Sequence, residues 1–193
     1  NDTAEDMDYG SQKREGGKME KLKRMIFLSL LVSLGLALSI IESFMPVPFI
    51  APGAKLGLSN MVILVTLVVF GFKEALIVGI LKSLLFTLVT GSVSSLFYSL
   101  TGTVFSSIAM FIVYLYFSKF FSLIGVSIFG AVAHNTAQVL VASLIMNNFK
   151  IFSYLPILLL ISLFTGYFTG LASIFISKNL KKNFQPRCEI NKI

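Results

Sequence analysis

Long apolar runs, separated by short polar or glycine- and proline-containing breaks, dominate the chain from residue 25 onwards. Each run stays apolar over many consecutive residues, whereas the strands of a membrane β-barrel alternate apolar and polar side chains over about ten positions. A helix of about 20 residues spans a hydrocarbon core of roughly 30 Å. The pattern therefore predicts an all-α integral membrane protein, a bundle of about six transmembrane helices, over 25–44, 58–70, 75–89, 94–117, 123–146 and 151–176.

The two ends of the chain are polar and lie outside this apolar region. Residues 1–24 are first acidic and then basic, with few apolar side chains, which is typical of disorder. We therefore expect a disordered N-terminal tail at 1–24, a six-helix transmembrane domain at 25–177 and a basic cytoplasmic tail at 178–193. The second and third apolar segments are the shortest for a span.

Basic residues are distributed unevenly between the two predicted faces of the membrane. If the segments cross in alternation, thirteen of the 16 lysines and arginines fall on the side of the N-terminus, and only Lys55 and Lys150 fall on the other. Because cytoplasmic loops carry the excess of Lys and Arg, we expect a multi-pass protein with both termini cytoplasmic. The net charge of +7 then indicates contact with anionic lipid rather than with nucleic acid.

A few polar residues interrupt the apolar segments, where such residues are costly and usually functional. Under the predicted topology, those in the third and fifth segments lie at similar depth. The first outer loop brings more polar residues down toward the same side as the glutamate near the outer end of the first segment. Charge-assisted hydrogen bonds from such a set suit a small polar or anionic ligand. The predicted substrate-binding residues are Glu42, Lys55, Asn60, Lys82, His134, Asn135 and Gln138.

Purely structural interpretations of the same residues stay open. Lys82 would form an ion pair with Glu42 or Glu74, since charges inside a membrane are usually paired. His134 would bond a neighbouring backbone carbonyl, as buried histidines commonly do.

The residue inventory of the membrane region disfavours several kinds of chemistry. Between residues 25 and 177 the acidic residues are Glu42 and Glu74, whereas enzymes that act on magnesium diphosphates use several carboxylates. The sequence contains no phosphate-binding loop motif. One histidine and one cysteine, Cys188, do not make a zinc site. We therefore expect no enzymatic activity, no metal and no cofactor.

Small residues recur on one face of the first segment. Ser29, Ser33 and Ala37 are spaced four residues apart, so they share a face of a helix. Small residues let membrane helices approach closely. Such a face packs either within the bundle or against an external partner helix.

Two motifs, together with the six apolar segments, resemble the bacterial Gx transporter family, also described as heptaprenyl diphosphate synthase component I. They read Pro-Gly-Ala-Lys-Leu-Gly-Leu-Ser-Asn at 52–60 and Ala-His-Asn-Thr-Ala-Gln at 133–138. The resemblance covers about residues 25–180. This family is in turn similar to the substrate-binding S components of energy-coupling factor (ECF) transporters.

The resemblance implies a protein of the bacterial cytoplasmic membrane whose first loop caps a small-molecule substrate. It also implies that Ser29, Ser33 and Ala37 meet a transmembrane coupling subunit and that separate subunits supply the ATPase. The leading hypothesis is therefore a substrate-binding subunit of a transporter. The alternatives are a stand-alone secondary transporter that uses Glu42 or His134 as a proton relay, and a membrane subunit associated with heptaprenyl diphosphate synthesis.

Overall fold

The computed structural model describes residues 2–44 and 57–183, with side chains given over 19–44 and 57–180. Throughout these residues the regular structure is helical, and the prediction of an all-α bundle with six α-helices is confirmed. The helices are α1 (Asp2–Phe44), α2 (Asn60–Phe70), α3 (Phe72–Thr90), α4 (Val93–Phe117), α5 (Leu123–Ile145), a 3₁₀ helix (Phe149–Tyr154) and α6 (Leu155–Asn183).

The first and last helices extend beyond the predicted segments. α1 begins at Asp2, so residues 2–24, for which we expected disorder, are helical. An existing helix is extended more easily than a new one is nucleated, and the apolar span supplies that nucleus. α6 follows a 3₁₀ helix and continues to Asn183, past the predicted end at residue 176. The division into two tails and a membrane domain stays a prediction.

Four stretches of helix are long and apolar enough to cross a membrane, judged by length and composition: Met19–Phe44, Val93–Phe117, Leu123–Ile145 and Phe149–Leu180. α2 has only 11 residues, and α3 carries three charged side chains. Large apolar side chains such as Phe44, Leu88 and Phe164 cover the exterior of the bundle. The fold is that of an integral membrane protein, and the side of the membrane that each end faces stays a prediction.

The short helix α2 is the innermost element, because α1, α3, α4, α5 and α6 all contact it. One apolar cluster joins Ile63, Leu64 and Leu67 to α3, α4 and α5. Another joins Val62 and Val65 to α1 and α3. A helix too short to span the membrane is stable here because protein rather than lipid surrounds its ends.

The α2–α3 turn determines which residues of the two helices lie side by side. Gly71 joins them with a φ of 103°, a left-handed conformation that glycine adopts without strain. Its N–H donates to the carbonyls of Thr66 and Leu67 and so closes α2. Ser59 and Lys82 are nearly the same number of residues from Gly71, so the antiparallel pair brings them to the same level.

Glycines set the spacing between α5 and α6. A Cβ at Gly166 would lie 2.7 Å from the Cα of Ile128, and a Cβ at Gly170 would lie 2.6 Å from the Cα of Ile124. Only glycine permits so close an approach of two backbones, which is a common device in membrane helices. This contact fixes the register of α5 against α6.

Candidate functional site

Polar side chains gather around residues 57–60, where the chain enters α2. These side chains come from four helices and the residue before α2, and each is at most 3% exposed. The segment lies beside the middle of α3 and the middle of α5, so the start of α2 is deep inside the bundle. The interior polar cluster, as we call it, consists of Glu42, Ser59, Asn60, Lys82, His134 and Gln138.

Lys82 enters the cluster from α3. Its Nζ donates a hydrogen bond of 2.7 Å to the Oγ of Ser59. The aliphatic part of the side chain lies against Gly35 of α1, where an added Cβ would be 3.1 Å from the lysine Cδ. Ser59 is the N-cap residue of α2, yet its side chain makes no capping bond to the helix. Its hydroxyl instead accepts from the ammonium group, so the start of α2 is joined to the middle of α3.

Glu42 connects the end of α1 to the same segment. Its Oε1 accepts a hydrogen bond of 2.8 Å from the backbone N–H of Leu58. The negative carboxylate also attracts the positive ammonium group of Lys82. Glu74, the other acidic residue proposed as a partner of Lys82, forms an ion pair with Arg24 instead.

His134 lies between two glycines. A Cβ at Gly102 of α4 would lie 2.6 Å from the Cε1 of the imidazole, and a Cβ at Gly57 would lie 3.5 Å from its Cδ2. The absence of side chains at both positions makes room for the ring inside the bundle. One turn later on α5, Gln138 places its Nε2 at 2.9 Å from the histidine Nε2.

The side-chain amide of Asn60 is buried at the start of α2. Among the described residues, neither the Nδ2 nor the Oδ1 of its amide has a hydrogen-bond partner. The Nδ2 lies 2.9 Å from the point that a Cβ of Gly57 would occupy, and the ring of His134 borders the same point. The amide therefore points into the space beside Gly57, toward the histidine.

Asn135 lies next to the cluster but faces α6. Its Nδ2 donates to the Oγ of Ser162 at 2.7 Å and lies 3.5 Å from the carbonyl oxygen of Leu158. Its Oδ1 is buried and has no hydrogen-bond partner within the described part of the chain. The residue thus contributes to the α5–α6 contact and leaves one acceptor unused.

The structure brings five of the seven predicted substrate-binding residues to one place: Glu42, Asn60, Lys82, His134 and Gln138. Asn135 is adjacent, and Lys55 lies outside the described residues. That these residues bind a substrate stays a prediction. Sequence reasoning missed Ser59, although it stands in the motif at 52–60. It also missed Gly102, for which the sequence carries no signal beyond a small residue in α4.

The predicted partner interface lies on the outside of α1. Ser29, Ser33 and Ala37 are all exposed. The Oγ of Ser29 donates to the carbonyl of Met25, and the Oγ of Ser33 to the carbonyl of Ser29, each at 3.0 Å. Because both hydroxyls are satisfied within α1, this face is compatible with lipid and with a partner helix, and its role stays a prediction.

An apolar groove of about 440 Å³ lies elsewhere, between α4 and α5. It is lined by Ser94, Phe97, Val141, Leu144 and Ile145. None of these residues belongs to the interior polar cluster.

A helical bundle with an apolar exterior and ionisable side chains enclosed in its interior defines a helical membrane protein with an interior polar cluster. The chain belongs to the family described as heptaprenyl diphosphate synthase component I, whose family model matches residues 31–176. This match covers more than half of the chain, includes the whole cluster and confirms the family that the two motifs indicated. No curated protein and no solved structure gives a significant match.

Proposed function

We propose that this chain binds a small polar or anionic metabolite in the interior polar cluster, as the substrate-binding subunit of a membrane transporter. One observation supports this more than any other. Lys82 and His134 come from different helices, and each is 1% exposed. Both side chains lie against residues 57–60, where Lys82 bonds Ser59 and His134 lies beside Gly57. A transporter subunit of the S-component kind would pass its substrate on with the help of a coupling subunit and separate ATPases.

The energetic cost of the cluster supports a ligand-binding role. A lysine, a glutamate and a histidine inside a membrane bundle are expensive, and such residues usually mark a substrate or ion path. Stability alone would favour apolar side chains in this position, as along the remainder of α2. A polar ligand would gain charge-assisted hydrogen bonds from groups that are already desolvated.

The position of α2 also fits transport. Membrane transporters commonly bind substrates near mid-depth, at the ends of helices that cross only part of the membrane. α2 has 11 residues and begins inside the bundle, with the positive end of its dipole at the cluster. The hydrogen bond between Glu42 and the backbone N–H of Leu58 joins the last turn of α1 to this end of α2.

The description of the family favours a second candidate, a membrane subunit that assists heptaprenyl diphosphate synthesis. Catalysis on this chain itself is disfavoured by the placement of its membrane carboxylates. Glu42 joins the start of α2, whereas Glu74 follows its end, and an 11-residue helix is about 16 Å long. An assisting role would predict that prenyl product forms only when this chain is present with its partner.

The proposal can be tested by measuring small molecules that the purified protein retains. The chain would be purified in mild detergent, denatured, and its released metabolites quantified by mass spectrometry for the wild type, Lys82→Met and Lys150→Met. Methionine keeps most of the lysine stem that packs on Gly35 but removes the ammonium. We expect Lys82→Met to lower retention at least tenfold, since one charged hydrogen bond is worth about 1.5–3 kcal/mol.

Lys150→Met is the matched control, because the same substitution is made at an exposed position. It should retain as much metabolite as the wild type. Equal retention by both variants, or no retained metabolite in the wild type, would contradict the proposed site. Uptake by the chain alone in proteoliposomes, driven by a pH gradient, would favour a stand-alone transporter over a subunit that depends on ATPases.

A further inference from the structure

The amide of Asn60 is the best-defined open hydrogen-bonding position in the cluster. The residue is 2% exposed, and both its Nδ2 and its Oδ1 lack partners among the described residues. A buried polar group without a partner is costly, and both atoms of one amide are affected here. Because the donor and the acceptor are both open, the conclusion does not depend on which way the amide is turned.

The neighbouring groups are already engaged. The ammonium of Lys82 donates to Ser59, and the carboxylate of Glu42 accepts from Leu58. An ammonium has three donors, so Lys82 still has protons to offer a second acceptor. Within the described part of the cluster, Asn60 therefore offers a donor and an acceptor side by side, and the ammonium of Lys82 lies at the preceding residue, Ser59.

We propose, on the basis of the proposed function, that the metabolite bears an amide-type edge, with an N–H donor next to a carbonyl acceptor, and that Asn60 recognises this edge with both atoms of its amide. Primary carboxamides, lactams and ureides have such an edge. An asparagine side chain commonly binds a donor and an acceptor that lie side by side in this way.

A fully ionised carboxylate or phosphate does not meet this requirement. Such groups offer only acceptors, so they would satisfy the Nδ2 of Asn60 and leave its Oδ1 facing a negative charge. The open acceptor on Asn60 favours a ligand that carries an N–H group, and it narrows the polar or anionic class to its amide-bearing members.

The test compares matched pairs of probes that differ only in this edge: nicotinamide with nicotinate, glutamine with glutamate, and benzamide with benzoate. Binding of each probe to the full chain in detergent would be measured by isothermal titration calorimetry. We expect at least one amide to bind at least ten times more tightly than its acid partner. Asn60→Leu, which removes both polar atoms at similar volume, should abolish this preference.

Asn60→Asp serves as a second variant that keeps the shape and polarity of the side chain. It replaces the Nδ2 donor by an oxygen and should lose the amide preference even if Asn60→Leu does not fold. Three results would overturn the inference: acids that bind as tightly as amides, an amide preference that survives in both variants, or no binding of any amide probe. A preference that survives in Asn60→Leu would mean that water, not the ligand, serves Asn60.

The proposed function and this inference can fail separately. If the acid probes bind as tightly as their amide partners and lose affinity in Lys82→Met, the site stands and the amide requirement is wrong. If no probe binds and no metabolite is retained by the wild-type protein, both are wrong.

Discussion

The two ends of α2 differ in the kinds of side chain that enclose them. At its Phe70 end, Leu64, Leu67 and Val68 are enclosed by apolar side chains, and the one polar residue, Thr66, donates its hydroxyl hydrogen to the carbonyl of Val62. At its Asn60 end, charged and polar groups are enclosed and some amide atoms have no partner among the described residues. The comparison indicates that one end supplies stability and the other is arranged for a ligand.

The Phe70 end should respond most strongly to a loss of volume. Leu67→Ala removes a side chain that is 1% exposed and leaves a cavity among α2, α3, α4 and α5. Cavities of this kind cost about 2–5 kcal/mol in soluble proteins. We expect Leu67→Ala to lower the free energy of unfolding by about 2 kcal/mol, the lower end of this range, because lipid in the unfolded state is as apolar as the protein interior. Reversible unfolding in sodium dodecyl sulfate, followed by circular dichroism, would measure it.

The control for this cavity is Leu88→Ala on the lipid-facing side of α3, where the side chain is 79% exposed. It should change the free energy of unfolding by less than about 0.5 kcal/mol. The protein that remains folded in Leu67→Ala should retain metabolite like the wild type. A loss of retention in the folded fraction would show that the two ends of α2 are not separate in function.

Gly102→Ala should affect the Asn60 end instead. The new methyl group would lie 2.6 Å from the Cε1 of His134, so the imidazole would have to move. We expect metabolite binding to weaken on the order of tenfold, which corresponds to about 1.4 kcal/mol. Overpacking would also cost about 1–3 kcal/mol of stability. Retained metabolite per folded protein is the measurement that separates the two effects.

Gly79→Ala is a matched control for this change. Its methyl group would lie 2.4 Å from the Cγ2 of Thr103, between α3 and α4 but without contact to the histidine. The overpacking and the gain in helix propensity of about 1 kcal/mol are shared by both variants. If the two variants lost metabolite equally, the loss would come from overpacking of the bundle in general and not from the position of His134.

The helices could be predicted from the sequence, but their depth in the bundle could not. Uninterrupted apolar runs identify membrane helices, and the segment 58–70 matches α2 closely. In a soluble protein, apolar periodicity would also show which face is buried. Here lipid and the protein interior are equally apolar. The buried helix α2 and the exposed positions of α1, such as Leu30 and Leu34, therefore carry the same kinds of apolar side chain.

The residue types of the site were predictable, whereas their contacts were not. Lys82 and His134 stand out because ionisable residues are rare in apolar segments. That Lys82 would reach Ser59 depends on the turn at Gly71, which sets the register of α2 against α3. That His134 would lie on the backbone of Gly102 depends on the packing of α4 against α5. Such contacts depend on how two helices align against each other, and the sequence of one helix alone does not determine that alignment.

The smallest effect is expected from the ion pair near the Phe70 end. Arg24 of α1 pairs with Glu74 of α3, and the two side chains are 46% and 22% exposed. Partly exposed pairs contribute about 0.2–1 kcal/mol and weaken in salt. Glu74 also lies in the first turn of α3, where a negative charge is favourable by about 0.3–1 kcal/mol. Glu74→Gln should therefore cost more than Arg24→Gln, which removes the pair but leaves the charge at the helix start.

The difference between these two variants measures the interaction of Glu74 with the helix dipole, and the sodium dodecyl sulfate titration would report both values. Neither variant should change metabolite retention, because α2 separates the pair from the cluster. A cost above about 2 kcal/mol for Glu74→Gln would exceed both contributions together. It would mean that the Phe70 end depends on charge as well as on apolar packing, and the contrast between the two ends of α2 would then be weaker than proposed here.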